Sequence, residues 1–212
     1  MSYFPFFVDV CDKEILVVGG GKVAYRKVQK LMEFGAKIKI VAKDVCEEFG
    51  KLDVTVHKRE FSDKDIKNAF CVIAATDDEQ LNEYIFRLCQ DENILINTVD
   101  DKEKCSFIFP AISKNGDITA AVTTNGKSPF VSSFVREKID DVLTDNLSFA
   151  VEILGEYRKD LQEIYSDTKT KNYIISLIFE ICMNEKKSKA KEKVLKLLEE
   201  GKNENNNCSK RI

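Results

Sequence analysis

The sequence runs to 212 residues, 43% hydrophobic and 33% charged, with three Pro and nine Gly, a balance that excludes a disordered, collagen-like or low-complexity chain. Lys and Arg number 33 against 36 Asp and Glu, a net charge of −3, so no global cationic field draws the protein to nucleic acid. The longest apolar stretch, residues 173–183, is broken by Glu180 and is too short to span a bilayer, and the chain opens without a basic region or cleavage site; no membrane segment and a cytoplasmic location are expected.

Residues 14–18 (EILVV) form a short β-rich run that ends in Gly19-Gly20-Gly21. Apolar side chains then recur at 23, 24, 28, 31, 32 and 34, a helical period, and Gly35 supplies the stop. Residues 38–42 read as the next strand and 54–56 as another. Residues 69–75 (AFCVIAA) are continuously apolar, as a strand buried on both faces should be. Asp77 and Asp78 stand where a helix begins, with Leu81, Tyr84, Ile85 and Leu88 as its apolar stripe, and residues 94–96 form a further strand. Strands alternating with helices predict an α/β fold, a Rossmann-like doubly wound parallel sheet.

Beyond Ser113 the pattern changes. Residues 117–124 (DITAAVTT) alternate like a strand, and Asn125-Gly126-Lys127-Ser128-Pro129 makes a turn in which Ser128 is an N-cap and Pro129 the first helical residue. Helices follow, with stripes at Leu147, Val151, Leu154, Leu161 and Tyr165, at Tyr173, Leu177, Ile178 and Ile181, and at Val194, Leu197 and Leu198. Residues 201–212 are polar and aperiodic, which predicts a frayed tail. The chain thus divides into an α/β domain over residues 1–113, a strand–helix segment over 114–146 and a C-terminal helical domain over 147–212.

Gly19-Gly20-Gly21-Lys22-Val23-Ala24 fits G-x-G-x-x-G/A directly after a strand and at the opening of a helix. Gly19 makes the tight turn, Gly21 lets the backbone approach a pyrophosphate, Ala24 permits close helix–sheet packing, and the helix N-terminus offers N–H groups to phosphate. The acidic residue expected near the end of the second strand is displaced: that strand ends Ala42-Lys43-Asp44. Asp44 would hold ribose hydroxyls and Lys43 would tolerate a 2′-phosphate, so NAD and NADP both stay open. Thr76, at the end of a buried strand, lies on the sheet edge where ligands collect, while Asp77 reads as a helix cap. Asp100, after the next strand on that edge, is placed for proton transfer beside a nicotinamide; from periodicity alone it reads equally as a solvated loop acid.

Seven cysteines without a C-x-x-C pair and a single histidine, His57, support no zinc site, and no protein-held metal is expected. Cys71, Cys89 and Cys182 fall in apolar patterns and read as core residues, Cys105 as an accessible thiol, His57 as an exposed loop residue, and the lysines of 186–196 as a solvated helix face.

Taken together, residues 4–8 (FPFFV), 19–27 (GGGKVAYRK), 74–78 (AATDD), 97–101 (NTVDD), 105–111 (CSFIFPA) and 123–129 (TTNGKSP) resemble, in order over about residues 3–143, the precorrin-2 dehydrogenase domain of siroheme synthases. The resemblance implies oxidation of precorrin-2 to sirohydrochlorin with NAD, a homodimer built on the 114–146 segment and, in some members, insertion of Fe2+ as a second substrate. It makes Asp100, matching the aspartate of the family's N-V-V-D segment, the catalytic candidate, acting as base or proton relay. Lys22, Val23, Lys43 and Asp44 match the family's dinucleotide-contacting positions and join Gly19, Gly21 and Thr76 as the cofactor candidates. Thr124, where the family usually has Ser, joins Lys127 and Ser128 as substrate candidates, with Lys104, Ser106, Lys114 and Arg136 as further groups for a macrocycle bearing eight carboxylates. Where the family carries a V-A-P-like segment this chain has Val41-Ala42-Lys43. No methyltransferase-like extension follows in these residues, so methylation of the precursor is expected from another protein. Two alternatives stay open: a bifunctional dehydrogenase and ferrochelatase, and a non-catalytic NAD(H) sensor.

Overall fold

A computed structural model describes the backbone of residues 3–209 and the side chains of residues 3–203. It contains two compact units, Met1–Phe109 and Pro110–Ile212. In the first, five strands form one all-parallel sheet: β1 (Glu14–Val18), β2 (Lys37–Ala42), β3 (Thr55–Lys58), β4 (Cys71–Ala74) and β5 (Leu95–Thr98), in the order β3-β2-β1-β4-β5. The chain reverses its winding between β1 and β4, the switch point at which doubly wound sheets bind ligands.

Alternation along β1 explains the two cores. Ile15 and Val17 pack with Ala24 and Val28 of helix α1 (Lys22–Met32) on one face. Leu16 and Val18 pack with Ile85 and Cys89 of helix α2 (Glu79–Asp91) on the other. Both faces of the central strands are covered, which is why their sequences read as unbroken apolar runs. Helix α1 is released at Gly35, whose φ of +77° suits a residue without a side chain, and the N–H groups of Gly35 and Ala36 close onto the carbonyls of Met32 and Leu31.

The edge strand departs from expectation. Strand β3 starts at Thr55 and runs to Lys58, so His57 is a half-buried strand residue opposite Val41 and not a loop histidine. Apolar content marked only residues 54–56, whereas the ladder with β2 continues into the polar pair His57 and Lys58. Cys71, Cys89 and Cys182 are buried, as their patterns predict.

In the second unit, β6 (Ala111–Asn115) and β7 (Ile118–Val122) form an antiparallel hairpin across Gly116-Asp117, with Gly116 at φ +57°. Only β7 is legible in the sequence; the short β6 lacks a clear alternation. Helices α3 (Pro129–Val142), α4 (Asp145–Glu156), α5 (Arg158–Ile164), α6 (Thr168–Asn184) and α7 (Lys187–Ser209) follow. The α4 stripe sits one position from that predicted, whereas in α6 the predicted Ile178 lies in the core and Leu177 and Ile181 pack half-buried against it. Ala150 and Ile153, and Ile174, Ile178 and Cys182, face the core, while Val151 and Tyr173 are exposed. Gly201 explains the close approach of α7 to α5, since a methyl group there would lie 2.1 Å from Tyr165 Oη. The predicted frayed tail is helical to Ser209, and residues 210–212 lie outside the described residues. No helix among the described residues is long and apolar enough to cross a membrane.

Candidate functional site

The C-terminal ends of β1, β2 and β4 open onto a cleft of about 800 Å³, bordered by Gly19, Gly21, Lys22, Lys43, Asp44 and Thr76. The three glycines have three different reasons. Gly19 adopts φ +116°, and a methyl group there would lie 2.1 Å from Ala75 O. One on Gly20 would lie 2.2 Å from Asp44 O. One on Gly21 would meet nothing within 4 Å, because that position faces the open cleft. The first two glycines are required by packing, and the third leaves a cradle that a side chain would fill.

Helix α1 begins at this cradle with no side-chain cap and no acidic residue in its first turn. Helix α2, beside it, is capped: Asp78 Oδ1 accepts from the N–H groups of Gln80 and Leu81, both at 3.0 Å. That function belongs to Asp78, and not to Asp77 as predicted, because Asp78 is the last extended residue before the helix. The bare donors and positive dipole end of α1 suit an anion such as a pyrophosphate.

A second cleft, about 490 Å³, shares Gly21, Lys22 and Thr76 with the first and adds Val23, Thr98 and Asp100. Thr76 Oγ1 is held by Asn82 Oδ1 at 2.7 Å, and Asn82 Nδ2 returns a hydrogen bond to Thr76 O at 2.9 Å. Thr98 is buried, and its Oγ1 has no hydrogen-bond partner among the described residues. An orphaned buried hydroxyl beside an open glycine cradle fits a polar cofactor better than an apolar one. Asp100 is exposed at the turn after β5 with φ +60°, a backbone conformation that few side chains adopt and Asp tolerates. Among the described residues no group of three or more His, Cys, Asp or Glu is gathered to hold a metal ion.

Behind Asp100 the chain is fastened. Lys27 Nζ of α1 donates to Asn97 Oδ1 and lies over the Phe109 ring. Cys105 is half-buried: Sγ donates to the carbonyls of Thr98 (3.2 Å) and Asp101 (3.1 Å), and burial pushes its thiol pKa up. It is a structural thiol and not the accessible one the sequence predicts. Ser106 Oγ is engaged by the β5 backbone, accepting from Ile96 N at 2.7 Å. Lys104 borders the second cleft but is paired with Glu83 at 2.8 Å and Asp101 at 2.9 Å, and those partners raise its pKa.

The far side of the first cleft holds a charge cluster that no local sequence pattern marks. Lys43 Nζ lies 2.9 Å from Glu60 Oε1, and each group holds the other in its charged form, raising the lysine pKa and lowering the carboxyl. Arg59 makes a bidentate contact with the buried Asp65, at 2.7 and 2.5 Å, and a further bond to Glu60 O at 2.8 Å. The pairing of Lys43 with Glu60 crosses 17 positions and follows no local spacing.

In the second unit, Thr124 Oγ1 accepts from Ser128 N and donates to Ser128 O, both at 3.0 Å, while Ser128 Oγ caps α3 through Val131 N. Lys127 is exposed on the same turn. Thr124 and Ser128 are thereby brought together as parts of the helix start. Lys114 is exposed on β6, and Arg136 pairs with Asp140 along α3.

Residues 6–111 match the family described as "Putative NAD(P)-binding". The chain is 37% identical over 205 residues to a siroheme synthase of Actinobacillus succinogenes, covering 93% of this chain and 43% of that protein. A siroheme synthase of Zymomonas mobilis is 41% identical over 167 residues, 77% of this chain and 36% of its own length. The chain therefore spans less than half the length of these relatives. Among solved structures, SirC, a precorrin-2 dehydrogenase, superposes with a TM-score of 0.73 at 22% identity, covering 93% of this chain and 100% of that one, a likeness of fold.

Proposed function

The chain belongs to the NAD(P)-binding family matched by residues 6–111, and on that premise we propose that it is a dehydrogenase that oxidises precorrin-2 to sirohydrochlorin with NAD. The observation that carries this reading is the second cleft, where the uncapped start of α1 at Gly21, Lys22 and Val23 shares one opening with Thr76 and Asp100. The names of the siroheme synthase relatives and of SirC give the substrate class.

The glycine turn and the first N–H groups of α1 hold the pyrophosphate, and Lys43 and Asp44 border its adenosine side. When bound, the dinucleotide supplies the two-electron acceptor. Asp100 takes the proton that leaves the macrocycle as it is oxidised; its exposed turn leaves the carboxylate free to meet a large substrate. Thr124, Lys127 and Ser128 belong to the substrate-binding part of this reading, as does a homodimer. The dimer is supported by α3, which exposes Phe130, Val131, Phe134 and Val142 and buries only Ser132.

Anaerobic absorbance spectroscopy of the protein with precorrin-2 and NAD+ tests the reaction: sirohydrochlorin must appear, and its absence from a protein that binds NAD leaves the sensor reading instead. Fe2+ insertion is a separate proposal, in which Asp100 would take the pyrrole protons. Sirohydrochlorin with Fe2+ and no dinucleotide tests it, and a rate equal to the uncatalysed one removes it.

A further inference from the structure

The adenosine side of the first cleft carries two cations, Lys43 and Arg59, and on sequence alone Lys43 is as suited to a 2′-phosphate as Asp44 is to a 2′-hydroxyl. The structure breaks the tie. Lys43 Nζ is held by Glu60 Oε1 at 2.9 Å, and the Arg59 guanidinium is turned into Asp65 and Glu60 O. Asp44 and Glu60 are exposed on the same rim. In a doubly wound sheet the adenosine ribose lies at the end of the second strand, here Ala42 followed by Lys43 and Asp44. A phosphate on that ribose would bring nearly two negative charges to a rim where Lys43 and Arg59 are already engaged and Asp44 and Glu60 are acidic, the cleft's other cation, Lys22, standing at the start of α1.

We propose that Glu60 is the residue that makes this cleft select a dinucleotide with a free 2′-hydroxyl, by holding Lys43 and repelling a 2′-phosphate. The proposal rests on the dinucleotide-binding reading above and adds to it a residue, on the loop after β3, that lies outside the glycine motif. Selectivity of this kind comes from an opposing charge as much as from an attractive contact. The Lys43–Glu60 pair is exposed, with side chains at 72% and 77% of full accessibility, so solvent screens it and the expected discrimination is a few-fold, up to about fivefold.

The test is titration of the full chain with NADH and NADPH at low ionic strength, following quenching of protein fluorescence or heat, for wild type, Glu60→Gln and the double variant Glu60→Gln/Lys43→Gln. Wild type should bind NADH a few-fold, up to about fivefold, more tightly than NADPH. Glu60→Gln should close most of that gap by tightening NADPH, and the added Lys43→Gln should reopen it, because Lys43 is the cation that Glu60 had held. A wild type that binds both equally, or a Glu60→Gln variant with an unchanged ratio, overturns the role of Glu60. If wild type binds neither dinucleotide, the parent reading falls and this inference with it.

Discussion

Lys27 Nζ donates to Asn97 Oδ1 at 2.9 Å and sits 4.0 Å from the centre of the Phe109 ring, so α1 is tied to the strand end that precedes Asp100. Asn97 is buried, and its Nδ2 donates to Phe107 O at 3.0 Å, so this amide is satisfied on both sides. Among the described residues no carboxylate lies within salt-bridge distance of Lys27, and burial lowers its pKa. Lys27→Met removes the donor and orphans Asn97 Oδ1, which should cost about 1–3 kcal/mol in urea unfolding. The pH dependence has a definite sign. Between the lowered folded pKa and 10.5 the unfolded chain holds a proton that the folded one has released, so stability owed to this group rises with pH. The wild-type-minus-variant difference should therefore grow from neutral pH towards 10.5; a flat difference would mean the ammonium is not desolvated.

Gly19 and Gly21 should separate folding from binding. Gly19→Ala places a methyl group 2.1 Å from Ala75 O at φ +116°, and the backbone there cannot yield without moving β4. A loss of several kcal/mol, about 3 or more, is expected, visible as a fallen thermal midpoint or insoluble protein. Gly21→Ala has φ −79° and open space, so stability should change by less than about 1 kcal/mol. The added methyl fills the cradle, and NADH affinity should fall at least tenfold. Unchanged NADH affinity in a stably folded Gly21→Ala would show that the open space is not where the pyrophosphate lies.

The contrast also shows what the sequence made legible. The glycine motif, the buried β1 and β4 runs and the Ser128-Pro129 helix start are local signals, each fixed by residues within a few positions of one another, and each stands where its pattern predicts. What escaped is set by distant partners. Strand β6 is specified by its pairing with β7, and His57 is drawn into β3 by the ladder with Val41. The α6 face carries two overlapping apolar series, at 173, 177 and 181 and at 174, 178 and 182; the predicted stripe includes Ile178, which fills the core, but misses its core neighbours Ile174 and Cys182. The Glu60 and Asp65 contacts join residues with no periodic relation.

Asp65 is the acid whose loss should be felt most in stability. It is buried, and its carboxyl pKa is lowered first by the Arg59 hydrogen bonds, against the opposing effect of burial. Arg59 is 45% exposed, so the contribution is discounted from that of a fully buried pair to about 1–3 kcal/mol. Asp65→Asn should lose that amount at neutral pH. A lowered acid pKa stabilises above the unfolded value near 3.8 and ceases to as pH falls through the folded value, so the wild-type advantage should vanish in acid below 3.8. Urea unfolding at neutral and acid pH checks both; an advantage that persists in strong acid would assign it to packing.

Asp100 calls for a variant that keeps its backbone. At φ +60° an alanine would add a steric penalty of about 1 kcal/mol, and activity lost in Asp100→Ala could then reflect a displaced turn. Asparagine tolerates the same left-handed conformation and has nearly the same shape, but it cannot take a proton. Asp100→Asn should leave the urea midpoint and NADH affinity near wild type while sirohydrochlorin formation slows by about a hundredfold or more, the usual effect of removing a positioned base. The loss should fall on kcat, because proton transfer belongs to the chemical step. An Asp100→Asn variant that turns over at the wild-type rate would remove the carboxylate from the mechanism and return it to the solvated loop acid that periodicity alone allows.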